Sequence, residues 1–150
     1  MADDRDDARQ RRLVAAGWLF AVGSGVHIFD HLRRGQGSVS EELYWLGNVA
    51  LVLQVVVITL IFTRHRLAPL AAVAAGFPLA LGFAAAHWAP EWSAISDPLT
   101  EIDSWRWFSY LASTLEIAGA LAVGVTGLAI VRANGLASFA TERQQPASST

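Results

Sequence analysis

The chain has 150 residues, of which 53% are hydrophobic and only 16% charged, and its formal net charge is −2. It is too apolar for an ordinary soluble domain of this length, and its charge gives no reason to expect a nucleic-acid partner. With no cysteine in the chain, disulfides, thiolate metal sites and thiol catalysis are excluded.

Residues 1–12 (MADDRDDARQRR) are mixed in charge and form a charged segment expected in the cytoplasm. The apolar run that follows, 13–32, is longer than a signal-peptide core. It ends in histidine, aspartate and arginine rather than a small-residue cleavage site, so it reads as a retained first span. Three further runs, 44–62, 67–88 and 107–131, each approach or exceed the roughly 20 residues that cross the hydrocarbon core. A spanning helix satisfies its own backbone in lipid, and none of the runs alternates polar with apolar as a strand would. The expected fold class is therefore an all-α membrane protein, a four-transmembrane-helix bundle over 13–133. Residues 134–150 are polar and read as a disordered cytoplasmic tail.

The connections differ in length. Ser38 to Glu41 has the spacing of a capping box and is expected to start the second helix before the membrane. Arg64, His65 and Arg66 form a tight turn, so the second and third spans make an antiparallel hairpin. In the longest connection, 89–106, Asp97 followed by Pro98 offers an N-cap and a first-turn proline for a short interfacial helix. Glu91, Glu101 and Asp103 share that connection. Pro78 lies inside the third span, where membranes tolerate the kink it favours.

All 11 basic residues are arginine. With abundant alanine, glycine and valine, this points to a GC-rich bacterial genome and hence a bacterial plasma membrane. Eight arginines (5, 9, 11, 12, 64, 66, 132 and 143) fall in the N-terminal segment, the second turn and the C-terminal segment. Three (33, 34 and 106) fall in the other two connections. The asymmetry predicts a multi-pass protein with both termini cytoplasmic. Five of the six tryptophans (45, 88, 92, 105 and 107) then gather at the outer face. They read as an interfacial aromatic belt, or as a lid over an outward-facing site.

The chemistry centres on His27, Asp30 and His31. Histidines at i and i+4 share a helix face. His31 lies about 40° around the axis from His27, and Asp30 about 60° away on the other side. His87, near the end of the third span, falls at matching depth. Three histidines and a carboxylate suit a divalent metal, zinc first, with water in an open position if the site is catalytic. Asp30 either binds the ion or holds an imidazole in the right tautomer. The plainer alternative is a set of interfacial histidines bonded to water and lipid phosphate.

Glu116 lies about ten residues into the fourth span, on a face of small residues with Ala112, Gly119, Ala120, Val123 and Gly127. It is expected to point into the bundle as a proton carrier or buried acid, bonded to Asn48, Gln54 or Ser24. Its depth argues against direct contact with His27.

These residues support a metal-binding protein, possible as a metal-dependent hydrolase or in metal handling. A b-type haem electron carrier is the alternative, with His87 and a span-one histidine as axial ligands. A small proton-coupled transporter and a non-catalytic accessory subunit also stay open, as does whether the protein is an enzyme. Partners are the lipid bilayer and either a homo-oligomer or a larger membrane complex. Histidines on separate spans beside an acid resemble the zinc-dependent intramembrane hydrolases of the ceramidase and adiponectin-receptor type, but those have seven spans. A buried glutamate among four spans is similar to small multidrug exporters, whose glutamate lies in the first span. No residue is carried over from either.

Overall fold

A computed structural model describes residues 2–102, 104–135 and 139. Among them four helices are long and apolar enough to cross a membrane: α1 (Ala2–Arg34), α2 (Glu41–Phe62), α3 (Ala68–His87) and α4 (Arg106–Asn134). The chain is an all-helical four-span bundle with no strand among the described residues. Most of the expected tail and Asp103 lie outside them. Helix α1 runs through the charged N-terminal segment instead of starting at the apolar run. Arg9 pairs with Asp6 and Arg11 with Asp7 along it, the spacing that supports an exposed helix.

Helix α4 is the packing centre, lying along both α1 and α3, while α2 touches α1 and α3 more lightly. Lipid tails are as apolar as leucine, so spans associate through close packing and not through removal of apolar surface from water. Small residues supply that closeness. Ala112, Glu116, Gly119, Ala120, Val123 and Gly127 are all buried on α4, as their helical spacing requires. A Cβ at Gly119 would stand 2.5 Å from the Phe20 Cα of α1. One at Gly76 of α3 would stand 2.7 Å from the Ala120 carbonyl oxygen.

Short connections fix the helix ends. The cap of α2 is Ser40, whose hydroxyl accepts from the Leu43 amide at 3.0 Å. Ser38, the expected cap, lies instead in a 3₁₀ turn, Gln36–Ser38, and donates to the Gly35 carbonyl. Ser40 is the better placed because Glu41 and Glu42 then both occupy the first turn, where carboxylates complement the helix dipole. Residues 63–67 close the expected hairpin between α2 and α3, with Arg64 at φ 51°. Pro78 sits within α3, which stays one helix from Ala68 to His87. Among its described residues the 89–105 connection contains one turn of 3₁₀ helix, Leu99–Glu101, and Asp97 does not cap it.

Candidate metal centre

Three histidines meet at the end of the bundle that carries the 89–105 connection. His27 and His31 come from the last two turns of α1 and His87 is the last residue of α3. One ligand atom from each lies within 4.8 Å of the other two. The ring centroids of His27 and His87 are 4.7 Å apart, and those of His31 and His87 are 5.7 Å apart. His27 and His87 are buried and His31 is half-buried, so none of the three faces lipid as an interfacial anchor would. Helices α1 and α3 reach each other across α4, and the imidazoles bridge the gap.

The hydrogen bonds assign the tautomers. His87 Nδ1 lies 3.1 Å from the Asp97 carbonyl oxygen and 3.4 Å from its carboxylate. Both neighbours are acceptors, so Nδ1 holds the proton and Nε2 keeps its lone pair. Carboxylate-held imidazoles of this kind are the usual support for a metal ligand. At His31, an Arg34 terminal nitrogen lies 3.0 Å from Nδ1, nearer than its 3.4 Å to Nε2. Guanidinium only donates, which puts the His31 proton on Nε2, pointed at His27 Nε2 at 3.0 Å. The His27 Nδ1 proton is then left without a partner, and that atom is indeed buried and unpaired. An ion held by these nitrogens replaces the proton between His27 and His31, because ligand imidazoles must offer lone pairs.

Asp97 belongs to the site, not to a helix cap. Arg34 grips its carboxylate through both terminal nitrogens at 2.9 and 2.6 Å. Burial opposes its ionisation, but hydrogen bonds from His87 and Arg34 outweigh burial and hold the carboxyl well below the usual carboxylate range. Asp97 is therefore an anion throughout the neutral range. Its amide also donates to the Ala86 carbonyl at 2.8 Å, which fixes the connection over the end of α3.

Two expectations need correction. Asp30 does not join the histidines, for the group that can share one ion comprises His27, His31 and His87. Its buried carboxylate instead receives Arg33 at 2.8 Å and lies 3.2 Å from the Arg34 Nε. The physical reason is helical spacing: three and four residues on, those arginines flank Asp30 and compete for it. Glu116, placed by depth beyond reach of His27, has its Oε2 only 3.5 Å from His27 Nε2. His27 lies seven residues from the end of α1 and Glu116 ten from the start of α4, an offset of about 4.5 Å along the bundle. Two side chains span that easily.

Gln54 and Ser24 stand beside Glu116, while Asn48 does not and donates to the Tyr44 carbonyl. Trp45, Trp88, Trp92, Trp105 and Trp107 are all more than half exposed, as a belt requires. Trp88 and Trp92 are tied back by their indoles, to the Ser113 hydroxyl and the Ala85 carbonyl. His65 stays in the turn between α2 and α3, with its Nδ1 accepting from the Leu67 amide.

The three histidines and Glu116 line one cavity of about 830 Å³ between α2 and the rest of the bundle. Its other walls are largely apolar. The chain matches no family model, no curated protein and no solved structure.

Proposed function

We propose that this protein is a multi-pass membrane protein that binds a divalent metal, zinc by the chemistry of its donors, through His27, His31 and His87. The observation that carries the reading is the convergence of three ligand nitrogens within 4.8 Å from two helices far apart in sequence. Nitrogen bonds of about 2.0–2.1 Å set tetrahedral ligand atoms about 3.4 Å apart, so a small closure of the side chains would bring such a trio onto one ion, and three protein ligands would leave a tetrahedral ion with an open position. The three histidines and Glu116 line the same cavity. A bound zinc would supply an acidified water and a Lewis acid. Glu116, 3.5 Å from His27, would be the acid–base group nearest such a metal. This favours a metal-dependent hydrolase over a metal carrier. The haem reading fares worse, since both pairs it allows, His27 with His87 at 4.7 Å and His31 with His87 at 5.7 Å between ring centroids, are already in ring-to-ring contact with no macrocycle's thickness between them.

Elemental analysis and a visible spectrum of the purified protein test the reading. One zinc per chain and no Soret band is the expected result, with Glu116→Gln keeping the metal and losing any hydrolytic activity. A Soret band, or a protein that takes up no metal, overturns it.

The arginine asymmetry supports an outer-face site, with both termini cytoplasmic in a bacterial plasma membrane. The chain has no cysteine of its own, so single replacements report cleanly. In intact cells an impermeant maleimide should label Ile95→Cys and spare Ala8→Cys. The reverse pattern contradicts the orientation.

A further inference from the structure

We propose that the cavity between α2 and the rest of the bundle binds a single-chain amphiphile, with its polar head at the histidines and its apolar chain along α2 and α3. The proposal rests on the metal reading above and names the class of ligand that the same site takes. The cavity's shape argues for a chain. Its α2 wall runs from Leu43 to Val57, about 21 Å at the helical rise of 1.5 Å per residue. A volume of about 830 Å³ lies within the range of small-molecule sites. Apart from Asn48, Gln54 and Glu116, the walls along the helices beyond the histidines are largely apolar, including Leu53, Val57, Ala71, Ala74 and Ala75.

The head is specified by a second observation. Glu116 Oε2, Gln54 Oε1, Ser24 Oγ and His27 Nδ1 are buried side-chain atoms with no well-formed hydrogen bond, although Gln54 and Ser24 stand beside Glu116. Their residues are 1%, 4%, 5% and 7% exposed and come from three helices. Unpaired buried polar groups are costly at membrane depth. Of these, Glu116, Gln54 and His27 line the cavity. Two of the unpaired atoms are carbonyl-type oxygens that a ligand N–H or O–H would satisfy. The fitting head therefore carries a metal-binding oxygen together with a hydrogen-bond donor.

Two glycines make the test clean. Gly47 and Gly82 line the cavity from α2 and α3, and a Cβ at either meets nothing within 4 Å. Phenylalanine at either position is expected to take up part of this open space, since no helix contact lies against the glycine. Alkyl hydroxamates supply the head chemistry with or without a tail. The full-length protein, loaded with Co²⁺ in nanodiscs, is titrated with acetohydroxamate and dodecanohydroxamate, and the cobalt absorption bands are followed.

Acetohydroxamate is expected to shift the bands of wild type, Gly82→Phe and Gly47→Phe alike. Dodecanohydroxamate is expected to need about a tenfold higher mole fraction on the two variants than on wild type, the loss that overfilling the space produces. Equal titration of all three proteins by the long probe overturns the proposal and leaves the metal reading intact. Bulk lipid or a second copy's helix filling the space gives that same result. A wild-type protein with no cobalt bands overturns the metal reading, and the proposal falls with it.

Discussion

His87→Ala is expected to lower zinc affinity by at least about a hundredfold while leaving the helical content unchanged. The substitution removes one of three nitrogens and also releases Asp97, which His87 helps to hold through two contacts at 3.1 and 3.4 Å. Loss of a group that merely orients a ligand already costs 10–100-fold in metal affinity, and loss of the ligand itself costs more. Competition against a chromophoric chelator, on protein whose circular dichroism matches wild type, measures it. His65→Ala is the matched control, because His65 lies in the turn between α2 and α3. The two variants should differ sharply. Equal affinities would reduce the three histidines to packing residues.

The second large effect is structural. Gly119→Leu should destabilise the bundle by about 3 kcal/mol or more, at the upper end of overpacking costs. A Cβ there would stand 2.5 Å from the Phe20 Cα and 2.9 Å from the Phe20 nitrogen. Backbone cannot rotate out of the way as a side chain can, so α1 and α4 must separate. That separation reaches the metal centre, since α1 carries two of its histidines. Gly25→Ala is the control, for its Cβ meets nothing within 4 Å, and alanine gains about 1 kcal/mol of helix propensity over glycine. Unfolding midpoints in a mixed-micelle titration should fall for the first variant and hold or rise for the second. A Gly119→Leu protein as stable as wild type would contradict the packing described for α1 and α4.

Much of the architecture was legible in the sequence because span length and apolar continuity are local properties. The small-residue face of α4 was legible for the same reason, through a period that repeats over about four turns. The convergence of His27, His31 and His87 could be anticipated from spacing and depth. What spacing could not show was competition. Asp30 has the right residue type beside the right neighbours, yet Arg33 and Arg34 lie at the same helical offsets and take its carboxylate. Glu116 was misplaced because counting residues from span ends gives depth only to within a turn.

Asp97 left a weaker trace. It sits in an irregular connection, where no period links it to His87, and its neighbour Pro98 imitates a helix start. Only the tertiary path, with the Asp97 amide bonded to the Ala86 carbonyl, brings the carboxylate to the imidazole. Arg34 was visible as a positive charge on the face expected to carry few. Its role in holding Asp97 and His31 together depends on contacts 63 residues apart, beyond any local pattern.

X-ray absorption at the zinc edge tests the central claim most directly, because it reads the ligands of the ion itself. The account predicts one zinc per chain with three imidazole nitrogens at about 2.0–2.1 Å and one further oxygen or nitrogen scatterer. It also predicts loss of one imidazole shell in His31→Ala. A zinc surrounded by oxygens alone, or a spectrum unchanged by that substitution, would contradict it.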